Sequence, residues 1–565
     1  MTNRLDGGEA LLEAFRSLGI DYVISSPGSE WAPLWEAVAR QETTGAAGPR
    51  YIDVWHETLA VDMAIGYTLY TGRMQAVLLH AGAGLLQGTC GIHGALLAEV
   101  PLLIFSSEAI TYGERPGADP GSQWYRNLSI VGGTHALVNG IVKWANQVGS
   151  VETLYEMAKR AGELAQRMPR GPVYLNVPVE VLLDVWSSPQ FKKPVAPPAR
   201  RISPPDEIEK LVSLVAAAKN PVILTESVGK NPEAFHALVA FAEAFGVPVV
   251  ETQGAVCGNF PHEHPLYLGS RLEPFMATSD LVLLVACRAP WYPPSNKPPQ
   301  ARTIVIDETP QRPHMVHQVL FADMYVEGEI ASTLRAAAER APGKVDAARR
   351  TQRLERHEAA HRKLRADIVA AESKAANGEA IAPVALVKAL REGLSDATIY
   401  VDETITHSRV VQQHLDWSEP QHYFYVQGGL GQGIGVAIGM KMAAPDKPVV
   451  LLLGDGTFLY NPIVQALGAA KNNDTPILIV IFNNRKYLSM KFNHLRAYPD
   501  GVAVTNNLFH GVELDNQPPL QRFGEPYGMH CAQVSKLADL APAIEAATAS
   551  VKRGTTAILN VMLTT

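Results

Sequence analysis

Two short motifs at the ends of apolar runs carry the most specific chemistry in this chain. The run Val449 to Leu453 ends in Gly454-Asp455-Gly456-Thr457; a helical pattern follows from Ile463 to Ala470; a second run, Ile477 to Phe482, ends in Asn483-Asn484. In a right-handed β-α-β unit both strand ends lie on the same carboxyl edge of the sheet, so Asp455 and Asn484, 29 residues apart, face one point. A carboxylate beside a carboxamide suits Mg²⁺, a hard cation that takes few protein oxygens and completes its octahedron with water or phosphate oxygens. The flanking Gly454 and Gly456 let the backbone approach a diphosphate closely. Each motif alone is an ordinary turn; at this spacing, on strand ends, the pair is specific.

Other candidate motifs are weaker. Gly428-Gly429-Leu430-Gly431-Gln432-Gly433 lacks the Gly-x-Gly-x-x-Gly spacing and the acidic residue about twenty positions on that a dinucleotide loop requires. His357-Glu358-Ala359-Ala360-His361 matches the helical zinc-protease pattern, yet Arg353, Arg356, Arg362 and Lys363 flank it and no third ligand is evident, so it reads as coincidence on a charged helix. Cys90, Cys257, Cys287 and Cys531 lie far apart and read as buried thiols rather than a disulfide or metal framework.

The elements that must position these residues form three series. Strand-like runs Tyr22 to Ser25, Tyr51 to Val54, Ala76 to His80, Pro101 to Phe105 and Val173 to Asn176 alternate with helical patterns, which predicts an open, mainly parallel α/β domain over 1–185. Prolines 189, 194, 197 and 198 within Trp186 to Arg201 mark a linker. A middle domain over 200–340 carries strands at Pro221 to Thr225, Val249 to Glu251, Leu281 to Ala286 and Thr303 to Ile306, with a helix near Ala234 to Phe245. Residues 341–378 read as a solvated helical connector, rich in Arg, Lys, Glu and Ala. The third domain, 379–565, adds strands at Ile399 to Val401, Tyr423 to Val426 and Ala557 to Met562 to the two already named. No short internal repeat is visible.

The Gly-Asp-Gly followed, after the 26-residue spacer Thr457 to Phe482, by Asn-Asn resembles the signature of thiamin diphosphate (ThDP) enzymes, with a slightly longer spacer than many simple decarboxylases have. The resemblance spans nearly the whole chain. Ser26-Pro27-Gly28-Ser29, Trp55-His56-Glu57, Gly66-Tyr67 and Leu79-His80-Ala81-Gly82-Ala83-Gly84 follow the order of the pyrimidine-binding domain in acetolactate synthases and benzoylformate decarboxylases. It implies three open, mainly parallel α/β domains: pyrimidine-binding, middle and diphosphate-binding. It implies that Asp455, the side chain of Asn484 and the carbonyl of Lys486 hold Mg²⁺. Gly454, Gly456, Thr457, Thr404, Thr406 and Tyr487 would surround the cofactor, with His407 a lesser candidate.

Glu57 reads by itself as a favourable charge at a helix N-terminus; by resemblance it donates a hydrogen bond to the pyrimidine N1′. Leu430 reads as core or as the apolar wedge that bends the cofactor, with the Gly428 carbonyl accepting from the 4′-amino group. Ser29 reads as the N-cap of a helix beginning near Glu30 or as a substrate contact, and His80 as a satisfied histidine at a strand end or a second substrate contact.

Departures narrow the reading. There is no His-His dipeptide, which disfavours the pyruvate and indolepyruvate decarboxylase pattern. Ala286-Cys287-Arg288-Ala289-Pro290-Trp291-Tyr292 replaces both a benzoylformate decarboxylase histidine and the flavin-linked Arg-Phe-Asp-Asp-Arg of acetolactate synthases, which argues against FAD. Arg485 to Lys491 also differs from both relatives.

The activity implied is 2-oxo acid decarboxylation with or without carboligation; a ThDP lyase of 2-hydroxyacyl-CoA or acyloin substrates is the alternative, and a non-catalytic cofactor-binding protein a remote one. By the same resemblance a homodimer or homotetramer builds its sites between subunits. The 49 Lys and Arg against 56 Asp and Glu give a formal charge of -7, which supplies no basic field for nucleic acid. No apolar run approaches the roughly 18 to 20 residues of a membrane span, and the first residues lack a secretory apolar core, so the expected compartment is the cytoplasm.

Overall fold

The computed structural model describes residues 5–26, 28–110, 128–190, 192–318 and 321–564. The chain falls into two compact units: Met1–Ala199 with Gln427–Pro445 and Asn461–Thr475, and Arg200–Val426 with Asp446–Tyr460 and Pro476–Thr565.

The first unit is built on six parallel strands, β1 (Tyr22–Ser25), β2 (Arg50–Asp53), β3 (Gln75–Leu79), β4 (Leu102–Ser106), β5 (Trp144–Gln147) and β6 (Val173–Asn176), in the order β2-β1-β3-β4-β6-β5. Every residue of β3, β4 and β6 is buried, as expected of strands covered on both faces. The chain leaves β1 toward β2 on one side and returns to β3 on the other, so a crevice opens at the carboxyl ends of β1 and β3. Gly28 to Glu30 follow β1 and His80 follows β3 at that crevice.

The second unit holds two sheets. One contains β7 (Pro221–Thr225), β8 (Val249–Glu251), β9 (Leu281–Val285), β10 (Arg302–Asp307) and β11 (Met324–Glu327), ordered β11-β10-β9-β7-β8. The other contains β12 (Ile399–Glu403), β13 (Tyr423–Tyr425), β14 (Val449–Gly454), β15 (Leu478–Asn483), β16 (His530–Val534) and β17 (Ala557–Met562), ordered β13-β12-β14-β15-β17-β16. The first and last sheets therefore share one topology, a structural repetition that no sequence repeat announces. In the last sheet the crevice lies between β12 and β14, at Thr404 and Gly454.

Three expectations need correction. The connector forms the helix Ala347–Ala375, but it is not simply solvated: its buried face carries Arg353, His357, His361, Ile368 and Glu372. Arg353 donates to the Phe245 carbonyl at 2.8 Å and also to Ala218, capping carbonyls at or just past the ends of two helices, which have no partner within them. Glu372 accepts from Arg391 at 2.8 and 2.9 Å and sits 2.9 Å from His414 Nδ1. The segment read as a linker begins with Trp186, which is 5% exposed and belongs to the core of the first unit. Cys257 and Cys287 are buried thiols, whereas Cys90 is exposed and Cys531 half-buried.

Candidate active site

At the carboxyl edge of the last sheet, β14 and β15 are direct parallel neighbours with Gly454 in register with Phe482, so the residues that follow leave the sheet side by side. Asp455 opens the helix Asp455–Tyr460 and is buried, as is Asn484. Burial pushes the Asp455 carboxyl up from the usual carboxylate range, opposed by the Gln517 amide and nearby backbone N–H groups. A cation would offset that cost. Asn484 Oδ1 accepts the Lys486 N–H at 3.0 Å, and Asn484 Nδ2 lies 3.4 Å from His407 Nε2, whose pKa burial lowers.

A strap formed by 512–514 runs antiparallel to 485–487. Leu514 N–H donates to the Arg485 carbonyl at 2.9 Å and Tyr487 N–H to the Val512 carbonyl at 2.8 Å, with Lys486 opposite Glu513. Polar groups of alternate residues face alternate sides of such a pair, so those of Lys486 face away from the strap, toward the side on which its N–H meets Asn484. The strap also delivers Gln517, whose Nε2 donates to Asp455 Oδ2 at 3.1 Å and whose Oε1 accepts from Asn483 at 2.9 Å. A carboxylate, a carboxamide and a backbone carbonyl form an all-oxygen donor set that fits Mg²⁺. The Tyr487 ring packs directly on Gly456, where a Cβ would lie 2.3 Å from it.

Across the β12–β14 crevice stands Thr404, buried, its N–H donating to Asp402 Oδ1 at 2.8 Å. Burial pushes the Asp402 carboxyl up to about 6, against the hydrogen bonds of Thr404 and the Tyr423 hydroxyl. Ile405 adopts φ 50, a strained conformation for a β-branched residue that persists only when its surroundings enforce it. Thr406 is half-buried and has no hydrogen-bond partner among the described residues, leaving its hydroxyl available to an anion. His407 precedes the helix Ser408–His414.

In the first unit, Glu57 is the first residue of the helix Glu57–Thr71, and its carboxylate lies against Gly84, where a Cβ would sit 2.9 Å from Oε1. Beside it is a pairing that sequence reasoning missed. Glu30, its side chain 0% exposed, accepts Ala81 N–H at 3.0 Å and sits 2.9 and 3.0 Å from His80 Nδ1 through its two oxygens. The Glu30 hydrogen bond raises the His80 pKa, with burial opposing. It also holds a proton on Nδ1 and leaves Nε2 as the exchanging nitrogen of a ring that is 28% exposed. Gly28 makes the pairing sterically accessible: a Cβ there would lie 2.2 Å from His80 Nδ1 and 2.4 Å from Glu30 Oε2.

Ser29 does not cap a helix. It begins the 3₁₀ turn Ser29–Trp31, makes no capping bond and is exposed; the α-helix starts at Ala32. Pro27 of the same motif lies outside the described residues. Gly428 takes φ 122, and its turn is held on the helix Ala81–Leu97 by Gln432 Nε2, which donates to the Cys90 carbonyl at 3.0 Å; Leu430 is half-buried.

Two signals in the sequence pointed to the missed residues. Glu30 is an acid directly before the apolar stretch Trp31 to Trp35, and Gln517 falls in a polar loop between Asn484 and the last strands. The zinc-protease pattern assembles nothing: His361 Nδ1 bonds the Tyr267 carbonyl at 2.9 Å, and among the described residues no group of three or more His, Cys, Asp or Glu could hold a metal.

Comparison with known proteins agrees with this geometry. The family models described as thiamine pyrophosphate enzyme, N-terminal TPP binding domain, central domain and C-terminal TPP binding domain match residues 5–127, 208–337 and 404–561. The acetolactate synthase large subunit of Haemophilus influenzae is 26% identical, over 93% of this chain and 89% of its own. Two Pseudomonas aeruginosa relatives are similar: a probable 2-ketoarginine decarboxylase, 26% identical over 95% and 90%, and a benzoylformate decarboxylase, 25% identical over 88% and 89%. The solved 4-hydroxybenzoylformate decarboxylase of Rhodococcus jostii shares the fold, with a TM-score of 0.80, 22% identity and 99% coverage of both chains.

Proposed function

Because the chain belongs to the thiamine pyrophosphate enzyme family, we propose that it is a Mg²⁺-dependent enzyme that decarboxylates a 2-oxo acid. The observation that carries this reading is the side-by-side exit of Asp455 and Asn484 from adjacent strands, with the Lys486 polar groups turned to the same side. Asp455, Asn484 and the Lys486 carbonyl would hold Mg²⁺, with Thr404, Thr406, Gly454, Gly456, Thr457 and Tyr487 around the diphosphate. When bound, thiamin diphosphate supplies a nucleophilic carbon and an electron sink for loss of CO₂.

The chain's own groups do the rest. Glu57 would hold the proton on pyrimidine N1′, the Gly428 carbonyl would accept from the 4′-amino group and Leu430 would fill the space between the rings. His80, kept protonatable by Glu30, suits delivery of a proton from Nε2 to the product carbon, and this favours release of an aldehyde. The Ser29 hydroxyl, exposed, suits the substrate carboxylate.

A flavin finds no support in the middle sheet. At the crevice beside β7, the carboxylate of Glu226, 1% exposed, accepts the N–H groups of Arg288 at 2.6 Å and Ala289 at 3.0 Å, and the Thr252 hydroxyl at 3.1 Å. These donors lie at the carboxyl end of the sheet and are already satisfied by an internal anion. The domain limits 1–185, 200–340 and 379–565, a cytoplasmic homodimer or homotetramer and sites shared between subunits belong to the same proposal. Among the described residues no helix is long and apolar enough to cross a membrane.

The test is a panel of pyruvate, benzoylformate and a 2-oxo acid with a cationic side chain, assayed for CO₂ and aldehyde with and without ThDP and Mg²⁺, and with an aldehyde acceptor. Cofactor-dependent CO₂ release supports the proposal. Failure to release CO₂ from any member, with cleavage of an acyloin or a 2-hydroxyacyl-CoA instead, overturns it in favour of the lyase.

A further inference from the structure

A cavity of about 300 Å³ lies within the second unit, between the connector helix and the chain after β8. That volume is at the small end of the range for ligand pockets. Tyr267, Leu268 and Phe275 line one wall, and Ala360, Leu364 and Ile368 the other.

The lining also carries polar groups, Ser270, Arg271, Asp367 and Gln413 among them, and two others are placed to meet a ligand. Gln412, on the helix Ser408–His414, is 8% exposed. Its Nε2 donates to the Ala255 carbonyl at 3.3 Å and to the Tyr423 hydroxyl at 3.2 Å. The Tyr423 hydroxyl spends its own hydrogen on Asp402 Oδ2 at 2.8 Å, which fixes the direction of the Gln412 amide. Both hydrogens of Nε2 are thus used, and Oε1 has no partner among the described residues. An acceptor with no partner of its own beside an apolar wall is open to a hydrogen from a ligand. The second group is Lys363, exposed on the connector helix and without an ion-pair partner among the described residues. The carboxylate of Glu251, which also lines the cavity, is already engaged by the N–H groups of Asn259 and Phe260 and by His262.

We infer that this cavity binds a small monocarboxylate with an aromatic body and a hydrogen-bond donor at its far end, the carboxylate on Lys363 Nζ and the donor on Gln412 Oε1. Occupancy reaches the loop after β12 by a continuous path: Gln412 to the Tyr423 hydroxyl, to Asp402, to the Thr404 N–H at 2.8 Å. The binding site stands independently of the proposed function; its effect on the cofactor rests on the assignment of Thr404 to the diphosphate.

The probe is 4-hydroxyphenylacetate, which has no 2-oxo group and cannot be decarboxylated as a 2-oxo acid, titrated calorimetrically into the holoenzyme. Saturable binding is expected, weakened about tenfold when phenylacetate replaces it, because the Gln412 acceptor then stays unpaired. Ala360→Trp fills the cavity from an exposed helix position and Lys363→Glu reverses the charge; each is expected to weaken binding about tenfold or more while ThDP affinity without the probe is unchanged. Binding that is absent up to about 10 mM, or that survives both variants, overturns the site. The probe is also expected to shift ThDP affinity by the same factor as ThDP shifts probe affinity, and Tyr423→Phe to abolish that linkage. Probe binding without linkage overturns the path to Thr404. Probe binding to a protein that takes up no ThDP overturns the family assignment of the site and leaves the cavity standing.

Discussion

Replacing Glu30 by Gln keeps the shape of this side chain and removes its charge. The native carboxylate meets His80 Nδ1 at 2.9 and 3.0 Å and the Ala81 N–H at 3.0 Å, and its side chain is 0% exposed, so water does not screen it. A carboxamide still offers one acceptor, so the pair becomes a neutral hydrogen bond. Charged hydrogen bonds contribute about 1.5 to 3 kcal/mol and neutral ones about 0.5 to 1.5, a difference of roughly 1 to 1.5 kcal/mol. If His80 delivers a proton, that difference corresponds to a loss of about five- to tenfold in kcat/KM on the alkaline side of the profile.

The sign follows from the direction of the shift. Glu30 raises the folded-state pKa of His80, so the native alkaline limb lies high and Glu30→Gln moves it to lower pH. The same pair stabilises the fold fully below the unfolded imidazole pKa and loses that contribution as pH rises through the folded value. The Tm difference between native protein and variant is therefore expected to be larger in acid than in base. The assay is kcat/KM against pH for both proteins, with thermal unfolding on either side of the imidazole range. Superimposable rate profiles in a folded, ThDP-loaded variant would refute the proton-delivery role.

Four further outcomes are expected. Asp455→Ala abolishes ThDP retention, because a metal ligand is lost; calorimetry showing native affinity in Mg²⁺ would contradict the assignment. Gln517→Leu lowers Mg²⁺ affinity by about 10- to 100-fold, the usual effect of removing a partner that orients a ligand, and a native titration curve would show that the strap plays no such part. Glu57→Gln binds ThDP but exchanges the C2 proton about 10² to 10⁴ times more slowly, read by deuterium exchange; normal exchange would leave Glu57 only its place at a helix start. His357→Ala lowers Tm through loss of a buried ring without changing metal content; bound zinc in the native protein that the variant loses would revive the zinc-protease reading.

The strands the sequence concealed all sit at sheet edges. Val173 to Asn176, Pro221 to Thr225 and Ala557 to Met562 are interior strands whose residues are almost all buried, and such strands read as continuous apolar runs. Trp144–Gln147, Met324–Glu327 and His530–Val534 were not legible, and each is one of the two edge strands of its sheet, the opposite edges having been read. An edge strand that is largely exposed needs no apolar run; in β5 no residue is fully buried. The candidate site divides in the same way. Asp455 and Asn484 were legible because two detectable strands fix where they emerge. Glu30 meets His80 from 50 residues away and Gln517 meets Asp455 from 62, through a turn and a strap that carry no periodic pattern.

The connector helix shows how a correct local inference can lead to the wrong surface. Its charge predicts solvation, and the histidines one turn apart do share a face, as a metal site requires. That face is buried by polar means: Arg353 on carbonyls left open near helix ends, His361 on the Tyr267 carbonyl, and Glu372 between Arg391 and His414. Burial and the charges of Arg356 and Arg353 push the His357 pKa down to about 3, so the ring stays neutral there. Glu358, one residue further round the helix, faces solvent and pairs with Arg362 at 2.6 Å, away from both histidines. His361 is held by the Tyr267 carbonyl, His357 lies against Arg356 and Glu358 is paired in solvent, so these three side chains do not converge on a metal pocket. The two histidines of the pattern instead lie on the buried face of the helix, which forms one wall of the cavity lined by Gln412.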